Sequence, residues 1–184
     1  VLVQKAIEKI EQGTIQKPNL VWLELTGCSG NIISMLDGAN PSFQESFFKM
    51  VNLVYENSLM ASEGEAAMNK LFHLDNDYIL AVEGAVSTKD HGIYHIIGNW
   101  HGKPVTAYDA IKALGEKASY VIAVGTCASD GGISAARPNP ATCVGIQQLL
   151  NKKVIKMPGC PCNPEWFMGT LAYIILCGEP ELDN

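Results

Sequence analysis

Short apolar runs recur along the chain and are separated by segments with helical periodicity. Each run is four or five residues long, and three of them, at 20–23, 78–82 and 120–124, are continuously apolar rather than alternating. Such runs are typical of strands that are buried on both faces of a parallel sheet. The pattern predicts strands at residues 20–23, 51–55, 78–82, 120–124 and 153–156.

The segments between these runs have the apolar spacing of helices. At the N-terminus, Val3, Ala6, Ile7 and Ile10 share one face of a short amphipathic helix over residues 1–13. Further helices are predicted at residues 31–36, 42–48, from 62 onward, 106–117, 143–150 and 164–177. The alternation predicts an α/β fold, a doubly wound parallel sheet of about five strands with helices on both faces.

Local signals mark where three of these helices begin. Ser42 can cap one helix, and Ser62 followed by Glu65 has the spacing of a capping box. Asn163 followed by Pro164 predicts the start of the last helix, because proline is favoured at the first helical position.

Composition and charge indicate the number of domains and exclude some classes of protein. The chain has 184 residues, of which 47% are hydrophobic and 17% charged, so we predict one domain over 1–184 with 1–18 as an N-terminal helical extension. The net charge of −6 and the lack of a basic stripe exclude a nucleic-acid backbone binder. No apolar run reaches the roughly 18 residues of a membrane span. A cytoplasmic location is expected, although a removed leader stays open because the chain begins at Val1.

Three of the six cysteines follow predicted strands. Cys28, Cys127 and Cys160 each lie one or two positions after a glycine, in turns that parallel strands place at one edge of the sheet. Glycine lets the backbone approach a bulky ligand, and backbone N–H groups in such turns stabilise anions. Thiolates at this edge are typical of an iron–sulfur cluster that passes electrons.

Other readings of the cysteines stay open. Buried thiols without a ligand are common, and zinc is an alternative that usually shows close cysteine pairs. Cys143 and Cys177 fall in predicted helices and are expected in the core. Cys162 follows Cys160 by two positions and is either a fourth ligand or a neighbour that points away. The four histidines have no metal-binding spacing.

The chain from about residue 20 to 176 resembles the small subunit of nickel–iron hydrogenases. The resemblance rests on residues 21–23 (VWL), 26–29 (TGCS), 82–85 (VEGA), 123–129 (AVGTCAS), 131–133 (GGI), 135–136 (AA), 138–140 (PNP), 158–161 (PGCP) and 163–166 (NPEW). It implies a flavodoxin-like domain with one proximal [4Fe–4S] cluster beside a nickel–iron large subunit. It maps the cluster ligands onto Cys28, Cys127 and Cys160, and it places Glu83 beside the cluster and the subunit interface.

One departure from the family concerns the ligands. The family has Cys-x-x-Cys after the first strand, and Leu25 stands at the first of these cysteines. Cys162 stands where the family has proline and is the first choice for the fourth ligand. Asp130 and Glu24 are rivals on the same loops, and a [3Fe–4S] cluster on three cysteines is the remaining alternative.

A second departure is that no cysteine group for further clusters is present. The resemblance therefore implies an electron-transfer subunit of a hydrogenase complex. The H2 chemistry would take place on the large subunit, with no catalytic residue in this chain. The electrons would leave to an iron–sulfur and flavin subunit linked to NAD or ferredoxin. Alternatives are a quinone- or flavin-linked subunit of a related complex and a non-redox flavodoxin-like binding module. The binding module lacks support, since no phosphate-cradling glycine motif is present.

Overall fold

A five-stranded parallel sheet forms the centre of the molecule. The computed structural model describes residues 1–39 and 42–181. The strands lie in the order β2-β1-β3-β7-β9, which confirms the predicted α/β fold. Their bounds are β1 Asn19–Glu24, β2 Asn52–Glu56, β3 Tyr78–Glu83, β7 Tyr120–Val124 and β9 Ile155–Met157.

Helices cover both faces of this sheet, as predicted. They are α1 Leu2–Glu11, α2 Gly30–Leu36, α3 Phe43–Met50, α4 Gly64–Phe72, α5 Ala107–Lys117, α6 Gly125–Asp130 and α7 Pro164–Cys177. Leu20 and Trp22 of β1 pack in an apolar layer with α1, α2, α3 and α7. Val21 and Leu23 point to the other layer, with α4 and α5. Because side chains alternate along a strand, a continuous apolar run supplies both layers.

Two short antiparallel ladders flank the main sheet. One is a hairpin of β5 Ile96–Trp100 and β6 Lys103–Thr106, and the other pairs β4 Val86–Ser87 with β8 Cys143–Val144. No helix described by the structure is long and apolar enough to cross a membrane.

The helix predicted over residues 143–150 is wrong. The segment begins with β8 and continues in a single 3₁₀ turn, Ile146–Gln148. The Asn139 side chain accepts from the Cys143 backbone N–H at 2.7 Å and donates to the Cys143 carbonyl at 2.9 Å. These bonds hold the backbone extended, and a tertiary contact of this kind leaves no periodic signal in the sequence.

The structure confirms one of the three predicted helix caps. Asn163 accepts from the backbone N–H groups of Glu165 and Trp166, so it caps α7 as predicted. Ser42 makes no side-chain cap bond. The capping box at Ser62 is wrong because α4 begins only at Gly64, after Glu63, and Glu65 accepts from the His101 backbone N–H instead.

Candidate functional site

Three loops meet at the carboxyl edge of the sheet, and each carries a cysteine. Cys28 follows β1, Cys127 lies in α6 directly after β7, and Cys160 follows β9. Since the three strands run parallel, their carboxyl ends lie at the same edge. The structure therefore brings together the three thiols that the sequence predicts.

All three cysteines line one cavity of about 210 Å³. Its wall is otherwise backbone and small polar groups, and its lining residues are Gly27, Cys28, Gly30, Asn31, Glu83, Gly84, Thr126, Cys127, Gly159, Cys160 and Pro161. In the described part of the chain, no three His, Cys, Asp or Glu side chains approach closely enough to hold one metal ion. A ligand shared by the three thiols has to fill the volume between them, as a multinuclear cluster does.

Glycines keep the space around two of the sulfur atoms open. A Cβ on Gly132, which has φ of +53°, would lie 2.5 Å from the Cys127 Sγ. A Cβ on Gly30 would lie 3.0 Å from the Cys28 Sγ. Both distances are shorter than van der Waals contact, so a side chain at either position would force the sulfur atom or the loop to shift. The cavity and its donors thus fit an iron–sulfur cluster.

Asn31 connects the walls of the cavity. Its backbone N–H and its side-chain amide donate to Glu83 Oε1 at 2.8 and 2.9 Å. Its Oδ1 accepts from the Cys162 backbone N–H at 2.8 Å. The amide also packs against Gly125, where a Cβ would lie 2.5 Å away and where φ is +82°. One buried side chain therefore joins α2, the end of β3 and both of the other cysteine loops.

Two more hydrogen bonds tie the second loop to the third. The Thr126 backbone N–H donates to the Gly159 carbonyl at 2.8 Å, and the Gly159 N–H donates to Thr126 Oγ1 at 3.1 Å. Sequence reasoning missed the roles of Asn31 and Thr126. Both stand next to cysteine motifs, but no spacing in the sequence indicates what a polar side chain bonds across the sheet.

Electrostatics in the cavity oppose three free thiolates. Burial is the main cause that raises the pKa of the Cys127 thiol. The neighbouring Cys160 and Cys28 thiols raise this pKa further through charge repulsion. Thiolates placed side by side become stable when a cation compensates their charge, and iron supplies that charge.

Cys162 lies outside the lining of the cavity. Its side chain is fully buried in the apolar layer that contains Trp22 and Phe167, and its Sγ is 3.7 Å from the Asn163 carbonyl oxygen. Burial raises the pKa of this thiol to about 11, which favours the neutral form. Its role as fourth ligand stays a prediction.

The carboxylates that the sequence singles out occupy different positions. Glu83 lines the cavity, and its Oε2 also accepts from the Ile32 backbone N–H at 3.1 Å. Asp130 is exposed and pairs with Lys156 Nζ at 3.1 Å. Glu24 is absent from the cavity lining and accepts a hydrogen bond from Ser58 Oγ.

Glu24 and Glu56 form a carboxyl pair beside the first cysteine loop. Burial alone raises the pKa of Glu24, but hydrogen bonds with Glu56, Ser29 and Ser58 lower it overall. Burial, followed by the adjacent Glu24 carboxyl, raises the pKa of Glu56 to about 8. At neutral pH the pair therefore carries one proton, held on Glu56.

The remaining cysteines and histidines lie elsewhere. Cys143 is buried on β8, and Cys177 is exposed in the last turn of α7. Cys143 therefore lies in the core as expected, whereas Cys177 does not. The Nδ1 atom of His95 lies 2.9 Å from Thr26 Oγ1, and His101 lies beside Glu65. None of these side chains lines the cavity.

The chain is similar to known proteins over most of its length. The family model for the NADH ubiquinone oxidoreductase 20 kDa subunit matches residues 28–174. The Hydrogenase-2 small chain of Escherichia coli K12 is 35% identical, over 92% of this chain and 46% of its own. The periplasmic [NiFeSe] hydrogenase small subunit of Desulfomicrobium baculatum is 32% identical, over 92% of this chain and 60% of its own.

The fold is also similar to that of a solved hydrogenase. The crystal structure of the reduced, active Ni–Fe–Se hydrogenase from Desulfomicrobium baculatum superposes with a TM-score of 0.84 at 32% identity, covering 92% of this chain and 68% of that chain. This chain spans about half the length of the curated relatives it matches.

Proposed function

Because this chain belongs to the family of nickel–iron hydrogenase small subunits, we propose that it holds one iron–sulfur cluster on Cys28, Cys127 and Cys160 and passes electrons through it. The observation that carries the proposal is the single cavity lined by these three thiols. A [4Fe–4S] cluster is the form we expect, with [3Fe–4S] as the alternative. The cluster would accept and release one electron at a time.

The H2 chemistry belongs to a separate large subunit with a nickel–iron centre. Oxidation of H2 yields two protons and two electrons, which the small subunit would relay one after the other. In the opposite direction the same relay would deliver electrons for proton reduction. The residues of this chain would position the cluster near the partner, and they would take no part in breaking the H–H bond.

Exposed apolar side chains beside the cysteine loops support such a partner. Ile33 on α2, Ile133 after α6 and Trp166 on α7 have 60%, 86% and 65% of their surface exposed. Each follows one of the three cysteine loops in sequence. Large apolar side chains around a polar site are typical of a protein–protein interface, and here they would seal the cavity.

The proposal also includes an electron acceptor and a cellular location. We expect a further iron–sulfur and flavin subunit linked to NAD or ferredoxin to take the electrons. The cytoplasmic location also stays a prediction, and the Desulfomicrobium baculatum relative is periplasmic by name. A quinone-linked subunit of a related complex is the second candidate, favoured by the description of the family model.

Anaerobic purification with iron and sulfide analysis tests the proposed function. We expect a brown protein with about four irons per chain and a paramagnetic signal in one redox state. Cys127→Ala should lose most of the iron, whereas Cys177→Ala, a change at an exposed thiol outside the cavity, should keep it. Iron-free protein after anaerobic reconstitution, or equal iron in both variants, would refute the proposal.

A further inference from the structure

Three cysteine side chains of this chain line the cavity, and its other three cysteines lie outside the cavity lining. All six cysteines lie within the described residues. Cys143 pairs across a ladder with Ser87. Cys177 lies at the far end of α7, where the following Gly178 approaches the hydroxyl of Tyr120 at the start of β7. That is the amino edge of the sheet, opposite the cavity.

Cys162 is held away from the cavity by contacts on both its backbone and its side chain. Its N–H is bonded to Asn31 Oδ1, and its thiol is enclosed by the apolar layer beneath the cavity. To reach a cluster, the residue would have to break the Asn31 bond and vacate a fully buried position. In the folded chain, Cys162 therefore lies apart from the three thiols that line the cavity.

The carboxylates do not replace the missing thiolate either. Both oxygens of Glu83 accept backbone or amide hydrogen bonds. Asp130 is paired with Lys156, and Glu24 is engaged with Ser58 and Glu56. Each of these carboxylates is thus already held by hydrogen bonds or by an ion pair in the folded chain.

Leu25 stands where a fourth donor would be expected. It follows the last residue of β1, and its backbone N–H donates to the Glu83 carbonyl at 2.7 Å. Its carbonyl carbon lies next to Gly84, which lines the cavity. The backbone of Leu25 therefore borders the site, whereas its side chain, which has no atom that can bind iron, packs in the apolar layer with Val21 and Leu23.

Building on the proposed function, we propose that the described residues, 1–39 and 42–181, supply only three ligands to the cluster, so that one iron would bind a small exchangeable donor. An external thiol is the matched probe, because thiolates are preferred ligands of iron in such clusters.

Mössbauer spectroscopy tests this directly. The protein is purified anaerobically with its large subunit, loaded with ⁵⁷Fe, and incubated with ferrous iron and a reductant. We expect one iron in four to differ from the other three and to change its signal when a small thiol such as 2-mercaptoethanol is added. In Leu25→Cys the four irons should be alike and insensitive to the thiol. Cys162→Ala should keep the unequal pattern.

Several results would overturn the inference while leaving the proposed function intact. Four like irons in the unmodified protein would mean that a protein thiolate completes the set, and loss of the distinct iron in Cys162→Ala would identify that thiolate. A distinct iron that ignores added thiol would mean a fixed protein donor. Three irons after the ferrous treatment would mean that no fourth iron binds. Absence of any iron would instead refute the proposed function itself.

Discussion

At the scale of single residues, Asn31 shows how a buried amide builds the site. It bonds Glu83 and the Cys162 backbone and packs on Gly125, so it touches the walls of three loops. The sequence predicts the three cysteines because glycine and strand ends mark them locally. It does not predict Asn31, because its partners lie 52 and 131 residues away.

Replacing Asn31 should therefore affect both stability and the cluster. Asn31→Ala leaves the Cys162 N–H without an acceptor and removes one donor from the Glu83 carboxylate. We expect a loss of about 1–3 kcal/mol in the free energy of unfolding, measured in urea, together with faster release of iron to a chelator. Asn52→Ala, which removes an exposed amide on β2, is the control and should leave iron release unchanged.

The space at Cys127 gives a second prediction. Gly132→Ala places a methyl group against the Cys127 sulfur, whereas Gly102→Ala adds one in open space at a comparable positive φ. Both variants should lose about 1–2 kcal/mol of stability from backbone strain. Only Gly132→Ala should also lower the iron content. Equal iron content in the two variants would contradict a ligand at this sulfur.

The pair of Glu24 and Glu56 predicts a pH dependence of stability. The pKa of Glu56 is about 8 in the folded chain, above the ordinary value of 4.5. The folded state therefore binds more protons than the unfolded state between these values, and stability falls as pH rises from about 5 to 8. The slope contributed by one such group is at most about 1.4 kcal/mol per pH unit.

Urea unfolding at several pH values measures this slope. In Glu56→Gln the group no longer titrates, so we expect a flatter dependence between pH 5 and 8. Glu45→Gln, a change at an exposed carboxylate on α3, should keep the original slope. If the free energy of unfolding of Glu56→Gln has the same pH dependence as that of the unmodified chain, the raised pKa does not belong to Glu56.

At the scale of elements, sequence signals succeed where the interaction is local. Asn163 and Pro164 predict the start of α7 because the cap bonds reach only two and three residues ahead. The strands are predicted because a doubly buried strand needs a continuous apolar run. The helix predicted at 143–150 is wrong because the Asn139 side chain binds both backbone groups of Cys143, a contact that has no periodic signal.

The caps of α7 and α3 provide a matched comparison. Asn163→Ala removes two cap bonds and should lower the free energy of unfolding by about 1 kcal/mol. Ser42→Ala removes a side chain at the equivalent position of α3 that makes no cap bond, so it should change the free energy of unfolding by only a few tenths of a kcal/mol, about ±0.5 kcal/mol at most. The two midpoints in urea give the difference, and equal losses would contradict the assigned caps.

At the scale of the whole molecule, the strand order determines what the carboxyl edge can hold. Placing β3 between β1 and β7 separates the first two cysteine loops and puts Glu83 between them. The parallel sheet and its edge follow from the alternation of patterns in the sequence. The sequence does not predict which apolar side chains around this edge are exposed. An isolated apolar residue after a loop gives the same pattern when it lies in a core.

Ile133 tests whether this edge is an interface. Ile133→Asp puts a charge on the most exposed of the three side chains and should weaken assembly with the large subunit roughly tenfold or more, as burial of a large apolar side chain predicts. Leu2→Asp changes an exposed leucine on α1 and should assemble normally. Co-purification of the two subunits measures both. Normal assembly of Ile133→Asp would exclude Ile133 from the interface.

The distance in sequence between the three thiols has a consequence for biosynthesis. A ribosome completes Cys28 long before Cys160, so a cluster on all three thiols could form only after residue 160 has been synthesised. The hydrogen bonds of Asn31 and Thr126 close the cavity wall without using a thiol side chain. The cavity can therefore form before any metal is bound, and we expect a cluster to be delivered to a chain that has already folded.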